Sequence, residues 1–233
     1  MNFEIVEINN HKCLFKAPLV SDVAAIAEIP SKYEYKRMAL WLTKAMRDAA
    51  YVKKMTLQER YAWFISFLNQ SNQFDRLDIG AYLNPVLNDF NTDRVDIGNG
   101  LSVRHLRGVE AEALELGCEA PIDWIKGEMA LTVACDDLGL PAMDIFVPEP
   151  RTIATIIQTR LSIIDQLDIY TYNEFVEKYN ACYSILPTLV NMFNDEKGGY
   201  SVDKYLNEGG ADDKTARFRV ADCIIGPARQ LLG

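Results

Sequence analysis

The sequence has few histidines, a residue type that is frequent in catalytic and metal sites. It contains two histidines, His11 and His105, and neither belongs to an H-x-x-E, H-E-x-x-H or Cys–His pattern. We therefore expect both to be exposed or partly buried strand residues. The cysteines are odd in number, widely spaced and without a C-x-x-C pair, which argues against a structural zinc site and a disulfide framework. They are more simply small buried residues in a reducing compartment: Cys13, Cys118, Cys135, Cys182 and Cys223.

Phosphate-binding and nucleophile motifs are also missing. The Gly98–Gly100 sequence, GNG, has no following Lys-Ser/Thr pair, and no G-x-S-x-G elbow occurs. The Asp136-Asp137 pair falls far short of a calcium loop. The sequence therefore assigns no catalytic, cofactor-binding or metal-binding residue and favours a non-enzymatic protein. The alternative is a small-molecule enzyme with a dispersed site, which would show a deep pocket lined by convergent polar groups.

Clustered basic residues and long apolar runs are absent as well. The formal net charge is −9, and the few lysines and arginines are diluted by other residues, which argues against nucleic-acid binding. No apolar stretch approaches the roughly 20 residues that span a bilayer. Glu4 and Glu7 stand where a signal peptide would be basic and then apolar. We expect no membrane association and no nucleic-acid partner.

What the chain does contain is the composition of a globular protein with a sizeable core. Of its 233 residues, 49% are hydrophobic and 24% charged. Two β-hairpins are predicted, one over residues 3–17 around Asn9-Asn10 and one around Asn99-Gly100, since Asn and Gly tolerate the positive φ of tight turns. The rest of the pattern is helical, so the predicted fold is mainly α with two small β-hairpins (α+β).

Helix start signals and hydrophobic spacing predict where these helices lie. Thr56 and Glu59 form a T-x-x-E capping box, as do Thr171 and Glu174. Pro121 opens a helix along which Ile122, Ile125, Met129 and Val133 are spaced, and the PEP sequence before Arg151 opens another. The remaining predicted helices cover residues 21–28, 33–51 and 109–117, a segment after Pro187 with Leu189, Val190 and Phe193, and residues 214–231.

The two hairpins suggest an internal duplication. Each hairpin precedes a short acidic helix, a longer helix and then a helix with a start signal, and the tripeptide MAL recurs at Met38–Leu40 and Met129–Leu131. This pattern predicts a first hairpin-plus-helices module at 1–72, a connecting region at 73–91, a second module at 92–166 and a C-terminal helical region at 167–233.

One stretch of the C-terminal region is unusually aromatic, and we consider it as a protein interface. Aromatic side chains are enriched at interfaces because they bury a large area at a small entropic cost. The alternative is an ordinary core helix with Tyr hydroxyls at its edge. The candidate contact residues are Tyr170, Tyr172, Phe175, Tyr179 and Tyr183, together with Arg104 and Arg107 on the basic hairpin strand.

Two segments resemble a family of tailed-phage proteins that includes a baseplate hub assembly component of T-even phages. The family pairs a hairpin ending in a basic v-R-x-L stretch with an acidic helix start, and Val103–Leu114 reads VRHLRGVEAEAL. It also has a short L-x-[DE]-R segment, and Thr56–Leu68 reads TLQERYAWFISFL. In the second module the counterpart, PEPRTIATIIQTRL, keeps an Arg but lacks the acid–Arg pair. The resemblance covers residues 3–165 as a pattern rather than as a string of identities.

The resemblance implies a protein without catalytic residues that binds other phage tail or baseplate proteins. It would be found in the virion, in its tail or baseplate, or in the host cytoplasm, and it could also associate with itself. An alternative within the same class is a tail assembly chaperone that is absent from the mature virion.

Overall fold

In a computed structural model, the chain divides into two compact units. Residues 3–71, 83, 94–143, 146–194, 200–203 and 216–218 are described. The first unit comprises residues 1–90 and 188–233, and the second comprises residues 91–187. The described residues form eight α-helices and three small antiparallel sheets, which confirms the predicted α+β fold class. Residues 167–187, assigned on sequence to a C-terminal helical region, belong to the second unit.

The first unit begins with the predicted hairpin. Strands β1 (Ile5–Ile8) and β2 (His11–Leu14) pair antiparallel, with Ile8 opposite His11. Asn9 and Asn10 lie between them with φ angles of 50° and 61°, the conformation that a two-residue type I′ turn requires. The Asn-Asn signal is therefore confirmed.

One predicted helix of the first unit, over residues 33–51, is wrong as a single element. Arg47 has a left-handed φ of 57° and donates its N–H to the Thr43 carbonyl at 2.9 Å, which ends the preceding helix. Asp48 then caps the next helix by accepting the N–H of Tyr51 at 2.9 Å. The helices of this unit are α1 (Val20–Ala27), α2 (Glu34–Met46), α3 (Ala49–Lys54) and α4 (Leu57–Gln70).

Helix α4 forms the centre of the first core. The predicted capping box is confirmed: Thr56 Oγ1 accepts the N–H of Glu59 at 3.1 Å, and Glu59 Oε2 accepts the N–H of Thr56 at 2.7 Å. Every residue from Glu59 to Leu68 is buried, as expected for a helix surrounded by other elements. Trp63 packs edge-to-face against Phe15 beyond the hairpin, with ring centroids 5.8 Å apart.

The helix predicted after Pro187 is instead a strand. Strand β6 (Asn191–Asn194) pairs with β7 (Tyr200–Asp203), and β7 pairs with β8 (Ala216–Phe218). Gln58 Oε1 on α4 accepts the N–H groups of Leu189 and Val190, each at 3.1 Å, so long-range bonds fix this segment. Strand β8 also contradicts the start of the helix predicted at 214–231, and the other residues of that prediction lie outside the described residues.

The second unit contains a hairpin that extends into a three-stranded sheet. Strand β3 (Arg94–Asp96) pairs with β4 (Ser102–Arg104), which pairs with β5 (Val133–Ala134). Asp96 lies opposite Ser102, so the connection spans residues 97–101 and is not the predicted two-residue turn. Gly98 and Gly100 adopt φ angles of 77° and 75° within it, and the hairpin itself is confirmed.

Four helices complete the second unit, which are α5 (Gly108–Gly117), α6 (Pro121–Thr132), α7 (Pro150–Ile164) and α8 (Ile169–Ser184). Pro121 and Pro150 stand at helix starts, as predicted. The capping box predicted at Thr171 is wrong, because Asp168 caps α8 by accepting the N–H groups of Tyr170 at 2.9 Å and Thr171 at 3.1 Å. Val133, predicted along a helix, lies in β5.

Gly127 permits the close packing of three helices in this unit, and it provides the first prediction. A Cβ at Gly127 would overlap the Leu114 side chain of α5 and would lie 3.9 Å from Ile157 of α7. The Gly127→Ala substitution should therefore lower the free energy of unfolding by about 1–3 kcal/mol through overpacking. The free energy of unfolding is measured by chemical denaturation followed by circular dichroism. Hydrogen exchange then shows whether the change is localised to α5, α6 and α7.

The matched control is Gly117→Ala at the end of α5, where no atom lies within 4 Å of the added Cβ. It should be neutral or stabilising by up to about 1 kcal/mol, since Ala is the better helix former. Equal effects of the two substitutions would contradict the packing argument.

Candidate interaction surface

Helix α8 divides the predicted aromatic set between core and surface. Phe175, 2% exposed, and Tyr179 are buried, and with Cys182 they form a stripe that packs in the core of the second unit. For these two residues the structure favours the alternative interpretation, an ordinary core helix. Their burial corrects the expectation that they lie on a contact surface.

The other aromatic residues of α8 remain accessible. Tyr170 is 84% exposed, because the Asp168 cap places it in the first turn on the side away from the core. Tyr183 is 47% exposed and Tyr172 is partly buried. Their role as interface residues stays a prediction.

The basic hairpin strand does not form a charged surface at Arg104. This side chain is buried, and its Nη1 and Nη2 atoms donate to the two carboxylate oxygens of Glu110 at 2.9 and 2.7 Å. The N–H of Arg107 donates to Glu110 Oε2 at 2.8 Å, so the same carboxylate caps the start of α5. Arg107 itself is partly buried. The surface role assigned to Arg104 on sequence is therefore corrected.

The end of α6 is held by three arginines, one from each of β3, β4 and α7. Arg94 donates to the Thr132 carbonyl at 3.3 Å, and Arg104 donates to that of Leu131 at 3.0 Å. Arg160 donates to the carbonyls of Ala130 and of Val133. The carbonyls of Ala130, Leu131 and Thr132 lie in the last turn of α6, where the negative end of the helix dipole is, so guanidinium groups stabilise them.

Burial lowers the pKa of Arg160 to about 10, and the nearby Arg104 and Arg94 lower it further in the same direction. The guanidinium nevertheless stays charged at neutral pH. Sequence reasoning missed this residue, although a signal was present: Arg160 lies on the apolar stripe of α7, between Ile157 and Ile164. A charged residue on such a stripe indicates a buried polar contact.

The first half of α6 presents an apolar face to solvent. Ile122 and Ile125 are one turn apart and each more than half exposed. Lys126 forms an ion pair with Asp165 at 2.9 Å, and Asp165 lies just before the Asp168 cap of α8. In the first turn of α8, Ile169 and Tyr170 are exposed as well. We call these four apolar residues, Ile122, Ile125, Ile169 and Tyr170, the α6–α8 surface.

A carboxylate lies beside this surface. Glu128 Oε1 accepts a hydrogen bond from the Tyr183 hydroxyl at 3.3 Å. Burial raises the pKa of Glu128, while hydrogen bonds from Trp124 and Tyr183 act in the opposite direction. The Tyr183 ring stacks on that of Tyr179 with centroids 5.6 Å apart. The site combines a half-buried acid with aromatic faces.

Both histidines make contacts with other residues of the fold. His105 is buried, which corrects the expectation of an exposed or partly buried residue, and its Nε2 lies 2.6 Å from the Pro187 carbonyl oxygen. Burial lowers the pKa of His105 to about 4, so the ring is neutral at physiological pH. His11 is partly buried in β2, as predicted, and stacks on Tyr51 with centroids 3.6 Å apart.

Within the described ranges, no group of three or more metal-ligating side chains occurs. The helices of the described part of the chain are each too short or too polar to cross a membrane. No protein-family model, curated protein or solved structure matches the chain.

The division of α8 into core and surface residues gives a prediction. Phe175→Ala should lower the free energy of unfolding by about 3–5 kcal/mol, because it removes a buried aromatic ring and leaves a cavity. Tyr170→Ala should change the free energy of unfolding little, since that ring is already in water. Denaturant titration of both variants tests this, and a destabilisation by Tyr170→Ala as large as that by Phe175→Ala would refute the assignment.

The buried ion pair gives another prediction. Glu110→Ala should destabilise the second unit by about 3–5 kcal/mol, because Arg104 would keep its charge without a carboxylate in the protein interior. The control is Glu174→Ala, which removes the exposed partner of Lys178 and should be nearly neutral. Hydrogen exchange of α5 and α6 peptides reports the difference. Similar protection in the two variants would show that the Arg104 pair does not hold these elements.

Proposed function

We propose that this protein is a non-enzymatic interaction protein in the assembly of a phage tail or baseplate, and that it binds other tail or baseplate proteins through the α6–α8 surface. The supporting observation is the exposure of four large apolar side chains, Ile122, Ile125, Ile169 and Tyr170, at the starts of α6 and α8 in the second unit. Exposed large apolar side chains are common at protein contact sites.

The energetics favour such a role. Full burial of one large apolar side chain contributes roughly 1.5–3 kcal/mol, so a few residues of this surface could supply the central contacts of an interface. The Lys126–Asp165 ion pair lies at the edge of the surface and remains partly in water. Charges in that position contribute to the choice of partner more than to affinity.

The assignment to phage tails depends on the resemblance of Val103–Leu114 and Thr56–Leu68 to the baseplate hub assembly family. The first segment contains Arg104 and Glu110, whose buried contact explains physically why a basic hairpin strand and an acidic helix start would occur together. In the second segment, the Thr56–Glu59 capping box starts the central helix of the first unit. In both segments, the matching residues have a structural role.

Affinity capture from lysate of phage-infected host cells tests this function. The tagged protein should recover large tail or baseplate proteins in a fixed ratio, and Ile122→Asp/Ile125→Asp should reduce that recovery by about tenfold or more, because charge would replace the apolar contacts. The control is Leu19→Asp/Val20→Asp, which places the same two charges at similarly exposed positions of the first unit.

Recovery of the folded chain alone, or equal recovery by both variants, would contradict the proposal. If tail or baseplate proteins are recovered, the content of purified phage particles distinguishes the two assembly roles. A virion component is present in the particles, and an assembly chaperone is absent from them.

A further inference from the structure

The α6–α8 surface continues along α6 into an acidic position. Ile122, Ile125 and Glu128 follow one another at intervals of three residues and therefore lie along one side of the helix. A partner that covers the two isoleucines would reach the Glu128 carboxylate. The chemistry of this position thus indicates which side chain the partner provides there.

Two aromatic side chains lie beside the Glu128 carboxylate. Trp124, one turn before Glu128 on α6, and Tyr183 on α8 both donate hydrogen bonds to it, the latter at 3.3 Å. Tyr183 is 47% exposed, although its ring stacks on that of Tyr179. Faces of Tyr and Trp rings attract cations through their quadrupole.

In the part of the chain that the structure describes, no lysine or arginine forms an ion pair with Glu128; the nearby Lys126 pairs with Asp165, and Lys178 pairs with Glu174. Burial removes water from the Glu128 carboxylate and therefore raises its pKa. A cation from outside the chain would relieve the cost of this burial.

We propose that Glu128, Trp124 and Tyr183 form a subsite that binds an arginine side chain of the partner protein. The proposal depends on the proposed function, since it specifies the chemistry of a partner at the same surface. Arginine fits better than lysine, because its planar guanidinium can lie on an aromatic face and donate to a carboxylate at the same time. A lysine could make the charge contact but not the planar stacking.

The test uses the full-length protein and three short blocked peptides, acetyl-Gly-Xaa-Gly-amide, with arginine, lysine or citrulline in the middle. Citrulline keeps the shape of arginine without its charge. Binding is followed by the indole N–H resonance of Trp124 in NMR spectra, which is assigned by its loss in Trp124→Phe. The arginine peptide should shift this resonance with an affinity about tenfold higher than that of the citrulline peptide, and the lysine peptide should be intermediate.

Glu128→Gln should abolish the preference for arginine over citrulline. This variant should remain folded and be at least as stable as the original at neutral pH, because a neutral amide replaces an acid whose pKa is raised by burial. The stability should not fall because an acid whose pKa is higher in the folded state than in the unfolded state destabilises the folded protein once the pH exceeds the unfolded-state pKa. The neutral amide of Gln removes this cost. The control is Glu177→Gln on the exposed face of α8, which should retain the preference.

Equal shifts with the arginine and citrulline peptides, no shift at all, or an unchanged preference in Glu128→Gln would overturn the proposal. A stronger response to lysine than to arginine would overturn the choice of arginine. The peptide comparison on the unaltered protein needs no variant, so it stands even if a substitution disturbs folding.

If the peptides fail while tail proteins are still captured through Ile122 and Ile125, only this subsite is refuted. If the arginine peptide binds and no tail protein is captured, the phage assignment fails instead.

Discussion

The buried contact between Arg104 and Glu110 holds the second unit together. Arg104 ends β4, Glu110 lies in the first turn of α5, and a second donor of Arg104 reaches the Leu131 carbonyl near the end of α6. One guanidinium thus links a strand, the start of one helix and the end of another. The pair is removed from water, so each charge depends on the other for compensation, and the relative positions of the three elements are strongly constrained.

The same constraint determines which part of α6 is available to a partner. The last turns of the helix are buried, and their carbonyls accept hydrogen bonds from Arg94, Arg104 and Arg160. The first turns project beyond this network, where Ile122 and Ile125 reach solvent. The exposed apolar face is therefore a consequence of anchoring the helix at one end, and the proposed contact surface is built on a rigid element.

Helix α8 adds to that surface by a similar division. Phe175 and Tyr179 fill the core, which fixes the rotation of the helix, and the Asp168 cap fixes where it starts. Tyr170 and Tyr183 are then left outside, and Tyr183 lies against Glu128. The aromatic excess seen in the sequence serves both purposes, since some rings pack the core and others remain accessible.

The sequence by itself determined the features that depend on a few adjacent residues. The Asn9-Asn10 turn, the Thr56–Glu59 box and the helix start at Pro121 follow from local backbone preferences and short-range hydrogen bonds. Hydrophobic spacing also identified most helices and the α+β class. These signals are local, and at these three positions the tertiary structure leaves them in place.

Only the tertiary structure decided the rest. The break at Arg47 lies within an unbroken apolar pattern, and the strand after Pro187 depends on pairing with residues further along the chain and on Gln58. Periodicity shows that a stripe is apolar but not whether another element covers it, so the spacing along α6 did not show that Ile122 is exposed, and Phe175 was considered as a contact residue although it is buried. Burial is a property of the assembled layers, because the same side chain is core or contact site according to what packs against it.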